Sequence, residues 1–104
     1  MTLEKVHAAA LNKVLFLPHA VEQMSRIDRM ISTDDIRQVI FHGEIIEDYP
    51  EDKRGHSCLM FGKDHDGNPV HVVCTPRKDF LVIITAYRPS ANEWKQGFKE
   101  RKKK

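Results

Sequence analysis

A chain of 104 residues is expected to form one domain around a single small core. Hydrophobic residues make up 40% and charged residues 31%, a balance that fits a soluble globular protein, and no apolar run approaches the length of a membrane span. The formal net charge is only +2, but seven basic residues stand against two acidic ones from Arg88 to Lys104, so that end carries +5 and the rest of the chain −3.

The opening "TLEKVHAAALNKV" predicts a short helix, since Ala8 to Leu11 are strong helix formers. Glu4, Lys5 and Lys13 interrupt the apolar residues of this end, which is unlike a signal peptide and places the protein in the cytoplasm. "VLFLP" follows as a brief strand or entry segment ending at Pro18, a residue suited to a helix's first turn. From His19, "HAVEQMSRIDRM" sets Val21, Met24 and either Ile27 or Asp28 on one face of a second helix, with Arg26 and Arg29 on its polar side. In "ISTDDIRQVIFHG", Ser32 or Thr33 caps a third helix. Asp34 and Asp35 sit in its first turn, Ile36, Val39 and Ile40 form its buried face, and Gly43 ends it.

The chain then turns to strand chemistry. "EIIEDYP" predicts an edge strand closed by Pro50, and "EDKRGH" a polar loop. "SCLMFGKDHDGNPVHVVCT" reads as a hairpin with a two-residue Asp66-Gly67 turn. After "PRKD", "FLVIITAY" is the last strand, ended by Pro89. Ser90 to Glu93 has the spacing of a capping box, which predicts a short C-terminal helix with Trp94 and Phe98 packing back on the body. The fold class expected is α+β: helices, then an antiparallel sheet of about four strands, then that last helix, with a flexible basic tail at about residues 100–104.

His71, Thr75, Thr85 and Tyr87 are polar groups inside strongly apolar strands. A two-residue Asp66-Gly67 loop sets His71 opposite Gly62. The next loop leaves two alternatives. Two residues at Arg77-Lys78 put His71 opposite Ile84; three put it on the face of Leu81, Ile83, Thr85 and Tyr87, because one residue of slip exchanges the faces of a strand. In the first case His71 is a core histidine. In the second, an imidazole, a hydroxyl and a phenol meet beside Arg88, a set able to move protons and hold phosphate. His19 stands at a helix start, either as a phosphate contact or as a simple entry residue. Arg26 and Arg29 suit bidentate phosphate contacts or a solvated face equally well. Arg101 and Lys102 belong to the basic end, a footprint for phosphate or a frayed tail.

Cys58 and Cys74 lie in separate strands, without metal-ligand spacing, and are expected as buried free thiols. Asp64, Asp66 and Asn68 lack the downstream Glu of a calcium loop. No glycine-rich phosphate loop or nucleophile elbow is present, so neither a metal nor a cofactor is expected, and a small-molecule enzyme is disfavoured.

Taken together, "FLPHAVEQM", "GEIIEDYPEDKRGHSCL", "PVHVVC" and "VIITAYRPSANEW" resemble a bacterial family carrying a domain-of-unknown-function label. Its members typically lie beside a small zinc-finger antitoxin similar to that of the MqsR–MqsA type, and the family looks related to RelE-like and BrnT-like toxins. The resemblance implies a RelE-like fold and the toxin of a two-gene toxin–antitoxin system, a metal-independent endoribonuclease acting on RNA, free or on the ribosome. It also implies a zinc-finger antitoxin as partner and no membrane. RNA cleavage of this kind needs a base, an acid and a cation for the developing charge. The residues implied are His71 or His19 as base or acid, Tyr87 as proton donor or phosphate ligand, Thr85 beside them, and Arg26, Arg29 and Arg88 on phosphate. A non-catalytic protein- or RNA-binding module of the same fold is the alternative.

Overall fold

The structure is a computed structural model in which residues 1–103 are described; Lys104, the last residue of the predicted tail, lies outside them. Three helices come in the order read from the sequence. Helix α1 (Leu3–Asn12) is capped by the Thr2 hydroxyl, which accepts from the Lys5 N–H. Strand β1 (Val14–Phe16) leads into α2 (Pro18–Met24), with Pro18 in its first turn. Helix α3 (Thr33–His42) opens on a full capping box. The Ser32 hydroxyl accepts from the Asp35 N–H, and the Asp35 carboxylate accepts from the Ser32 N–H, both at 3.0 Å. Two otherwise unpartnered backbone donors are thereby satisfied, a contribution of about 1 kcal/mol.

The second helix is shorter than its pattern predicts. It stops at Met24, because the chain turns at Arg26–Met30, where Met30 takes a left-handed backbone (φ 47°), and Ile31 rather than Ile27 enters the core. Ile27 is 92% exposed.

Strands β2 (Glu44–Tyr49), β3 (Ser57–Lys63), β4 (Pro69–Pro76) and β5 (Leu81–Tyr87) form an antiparallel run. The brief strand β1 adds to β5 in parallel, so the sheet has five strands in the order β1-β5-β4-β3-β2 and is mixed rather than antiparallel. A parallel partner needs a crossover, which α2, α3 and the rest of the sheet supply. The C-terminal helix is absent among the described residues. Ser90 accepts from the Glu93 and Trp94 N–H groups for a single turn, and then Gly97 (φ 90°) and Phe98 (φ 59°) reverse the chain. The outcome is a strap whose Trp94 and Arg101 form a β-bridge. No helix among the described residues is long and apolar enough to cross a membrane.

The sheet has two different faces. All three helices pack on one, where Val6, Ala20, Ile36, Val39 and Ile40 meet Met60, Val72, Cys74, Leu81 and Ile83. Each large aliphatic side chain fully buried there stabilises the fold by about 1.5–3 kcal/mol. Cys58 and Cys74 are paired in register on this face, as buried free thiols with sulfurs 3.9 Å apart. The strap covers part of the other face, where Trp94 and Phe98 pack with Leu59, Val73, Val82 and Ile84.

Candidate functional site

Four departures from regular pairing decide what the strap covers. The connection from β3 to β4 runs from Asp64 to Asn68 rather than through a two-residue turn. The Asp64 carboxylate draws it together by accepting from the Asp66 and Asn68 N–H groups. The register consequently differs by one residue from that of a two-residue loop, and His71 pairs with Phe61, not Gly62. The connection from β4 to β5 is longer than either expected length, with Pro76 paired to Leu81. A bulge then follows, since Val73 pairs with Thr85 but Cys74 with Ile83, leaving Ile84 as the extra residue. Leu81 and Ile83 therefore face the helices, while Thr85 and Tyr87 turn to the strap side with His71. A second bulge at Ile46 brings Glu47 and Tyr49 to that same side.

His71 and Tyr87 are direct register partners. The imidazole is completely buried, and both of its nitrogens are engaged. Nε2 lies 2.8 Å from the Phe98 carbonyl oxygen, which can only accept, so Nε2 carries a proton and donates. Nδ1 lies 3.2 Å from the Tyr87 hydroxyl and, in the neutral ring, accepts from it. Trp94 stands edge-on to the ring with centroids 4.4 Å apart. Burial lowers the His71 pKa below the ordinary histidine value, and the positive charge of Arg101 acts in the same direction. The Phe98 carbonyl and Glu47 oppose them without reversing the shift. His71 is thus a neutral imidazole held in one tautomer. Burial likewise raises the Tyr87 phenol; Arg101 and Arg29 work against that shift, and Glu47 and Glu93 with it. Thr85, half-buried, shares their face.

A latch fastens the strap beside this pair. Arg101 donates to both carboxylate oxygens of Glu47, at 2.9 and 3.1 Å, and its guanidinium stacks 4.7 Å from the Trp94 ring centre. The Tyr49 hydroxyl donates to the same carboxylate, and burial together with that bond pushes its pKa up to about 12. Burial works against the Glu47 charge, but the Arg101 and Tyr49 donors outweigh it and hold the carboxyl below its usual range. Arg101→Ala is expected to cost only about 1 kcal/mol, because about half of the Arg101 side chain faces water. It should also speed amide hydrogen exchange from Trp94 to Arg101. Unchanged protection there would mean that Trp94 and Phe98 hold the strap without the latch.

The other predicted residues sit elsewhere or are engaged. His19 is exposed at the start of α2, an element packed on the helix side of the sheet. Arg26 pairs with Asp28 at 3.3 Å, and Arg29 donates to the Gln23 side chain. Arg88 is tied down: it reaches Asp64 at 2.9 Å and the Arg29 carbonyl at 2.9 Å. Lys102 is exposed, with its backbone N–H donating to the Glu93 carbonyl. Sequence reasoning passed over Glu47, Tyr49 and the half-exposed Phe61 of β3, whereas Trp94 and Phe98 pack back on the body as expected, though not from a helix. One signal was present: acidic "EIIEDY" complements the basic "KERK". No group of three or more His, Cys, Asp or Glu among the described residues is arranged to hold a metal ion.

The fold and the polar pair define a small α+β domain with helices on one face of its sheet and a covered His–Tyr cluster on the other. The chain belongs to the family described as Domain of unknown function (DUF4258), whose profile matches residues 16–88. That span contains His71, Thr85 and Tyr87 and ends before the strap that covers them. No curated protein and no solved structure matches the chain.

Proposed function

We propose that this protein acts on RNA as the toxin of a two-gene toxin–antitoxin system, cleaving without a metal ion and restrained by a small zinc-finger antitoxin. The observation that carries this reading is the meeting of His71 and Tyr87, 3.2 Å apart on one face with Thr85. The resemblance to RelE-like and BrnT-like toxins supports it. In the proposed reaction a neutral His71 takes the proton of a ribose 2′-OH. The 2′-oxygen bonds to the adjacent phosphorus, the bond to the leaving 5′-oxygen breaks, and that oxygen takes up a proton from the Tyr87 phenol. Arg29, released from the Gln23 side chain, meets the phosphate. Because the strap shields His71, the reaction requires residues 90–103 to swing away.

One specific observation favours a second reading, a non-catalytic RNA- or protein-binding module. His71 has no exposed surface, and its hydrogen-bonding capacity is already filled. Incubation with total RNA and with translating ribosomes in EDTA separates the two. Tyr87→Phe keeps the ring and removes only the hydroxyl. Discrete cleavage that falls about 100-fold in this variant is the result expected of the ribonuclease. Folded protein that binds RNA and cuts none, in either setting, sinks the ribonuclease reading and leaves the module.

A further inference from the structure

Phe61 is an aromatic side chain in the middle of β3 that belongs to neither packed core. It lines a groove of about 530 Å³ with Phe98, Lys63, Lys99, Gly67 and Gly97. A smaller hollow of about 220 Å³ shares Phe61 and Lys63 and extends to His42 and Glu44. Both glycines take positive φ, and a Cβ on either would meet nothing within 4 Å, so the backbone there is open to close approach. Lys63 is exposed, and no carboxylate pairs with it among the described residues. The Lys99 ammonium lies 5.6 Å from the Phe61 ring centre and pairs with Glu44 at 3.2 Å. That pair is half in water, where such contacts are weak and open to competition by another anion.

Two aromatic side chains beside two cations suit a ligand with flat faces and negative charges at fixed spacing. We propose that this groove binds single-stranded RNA, one unpaired base stacking on Phe61 and the flanking phosphates meeting Lys63 and Lys99. The inference rests on the RNA reading above and adds the form of RNA recognised and the place where it first docks, on the closed protein before the strap carrying Gly97, Phe98 and Lys99 swings away. A duplex hides its base faces in the stack. An acidic peptide would use the lysines and leave the aromatic faces empty.

The test is binding of a short 2′-O-methyl oligouridylate to the full chain, followed by fluorescence anisotropy. Its blocked 2′-oxygen cannot attack phosphorus, so binding is read apart from cleavage. Phe61→Leu is expected to weaken binding about tenfold or more, and Lys63→Gln to lower the slope of log affinity against log salt by about 0.7. A duplex of equal length should bind more weakly than the single strand. Wild-type affinity in a folded Phe61→Leu, or displacement of the oligonucleotide by polyglutamate as readily as by unlabelled strand, would overturn the proposal. Lys63→Gln alters an exposed side chain and carries the test should Phe61→Leu fail to fold; an unchanged salt slope overturns the groove. Cleavage of ordinary RNA with no binding at this groove leaves the ribonuclease standing and removes the groove. Binding that passes these tests without cleavage does the reverse.

Discussion

Replacing His71 with alanine is expected to lower stability by about 3 kcal/mol, a large share of what a domain of this size has in total. The ring is fully buried, so its loss leaves a cavity under Trp94. It also strips a donor from the Phe98 carbonyl and an acceptor from the Tyr87 hydroxyl. Tyr87→Phe removes a single hydroxyl and should cost about 1 kcal/mol. This difference matters for reading function. Lost activity in His71→Ala mixes chemistry with unfolding, whereas Tyr87→Phe isolates the phenol. Urea denaturation of both variants measures the gap. Equal midpoints would mean that the strap does not seal His71 as tightly as its complete burial indicates.

The same histidine sets a pH dependence. Its folded pKa is lowered, so as pH falls the unfolded chain takes up the proton first. The stability it contributes is complete above the ordinary histidine value of about 6.5 and is lost as pH drops below it. Asp35, Glu47 and Asp64 also have lowered pKa values, but their contributions are lost only below the ordinary carboxylate range of about 4. Between pH 6.5 and 5 the stability of wild type should therefore fall more steeply than that of His71→Ala. Parallel curves in that window would show that His71 is not the group responsible.

Gly43→Ala should be at least as damaging, at about 3 kcal/mol or outright failure to fold. Gly43 follows α3 directly and precedes β2, and its φ of −88° is open to any residue. What requires glycine is space. A Cβ there would come closer than 3.0 Å to the carbonyl oxygens of Phe61 and Val39, both backbone atoms that cannot swing aside. Gly62 meets the same helix from β3, where a Cβ would lie 2.9 Å from the Val39 Cα. Together the two glycines let α3 close onto the sheet beneath Phe61. Gly67→Ala is the contrasting control, since its Cβ would enter open space and only the positive φ of 82° resists it, at about 1 kcal/mol. If Gly43→Ala melts no lower than Gly67→Ala, the approach of α3 to β3 is looser than these distances imply.

The helix starts were legible because caps and apolar spacing are local. Ser32 and Asp35 lie three residues apart, and Ile36, Val39 and Ile40 mark a face whatever they pack against. The end of α2 was not legible. "SRIDRM" keeps helical spacing, yet Ile31 reaches the core through a left-handed Met30. The C-terminal capping box misled for a related reason. Ser90 begins a turn as its type predicts, but Trp94 gains more by packing over His71 than a short helix gains by continuing.

The sequence by itself determined the α+β class, the capped third helix, the strand-rich second half and the unusual polar residues within it, because period, caps and turn residues act over a few positions. The tertiary structure alone decided the mixed sheet and the meeting of His71 with Tyr87. Side chains alternate along a strand with period two, so faces depend on loop length and on bulges at Ile46 and Ile84, and a single residue of slip reverses them. It also decided that the basic end folds back as a strap: Arg101 finds Glu47, 54 positions away in sequence, and no local pattern fixes such a pair.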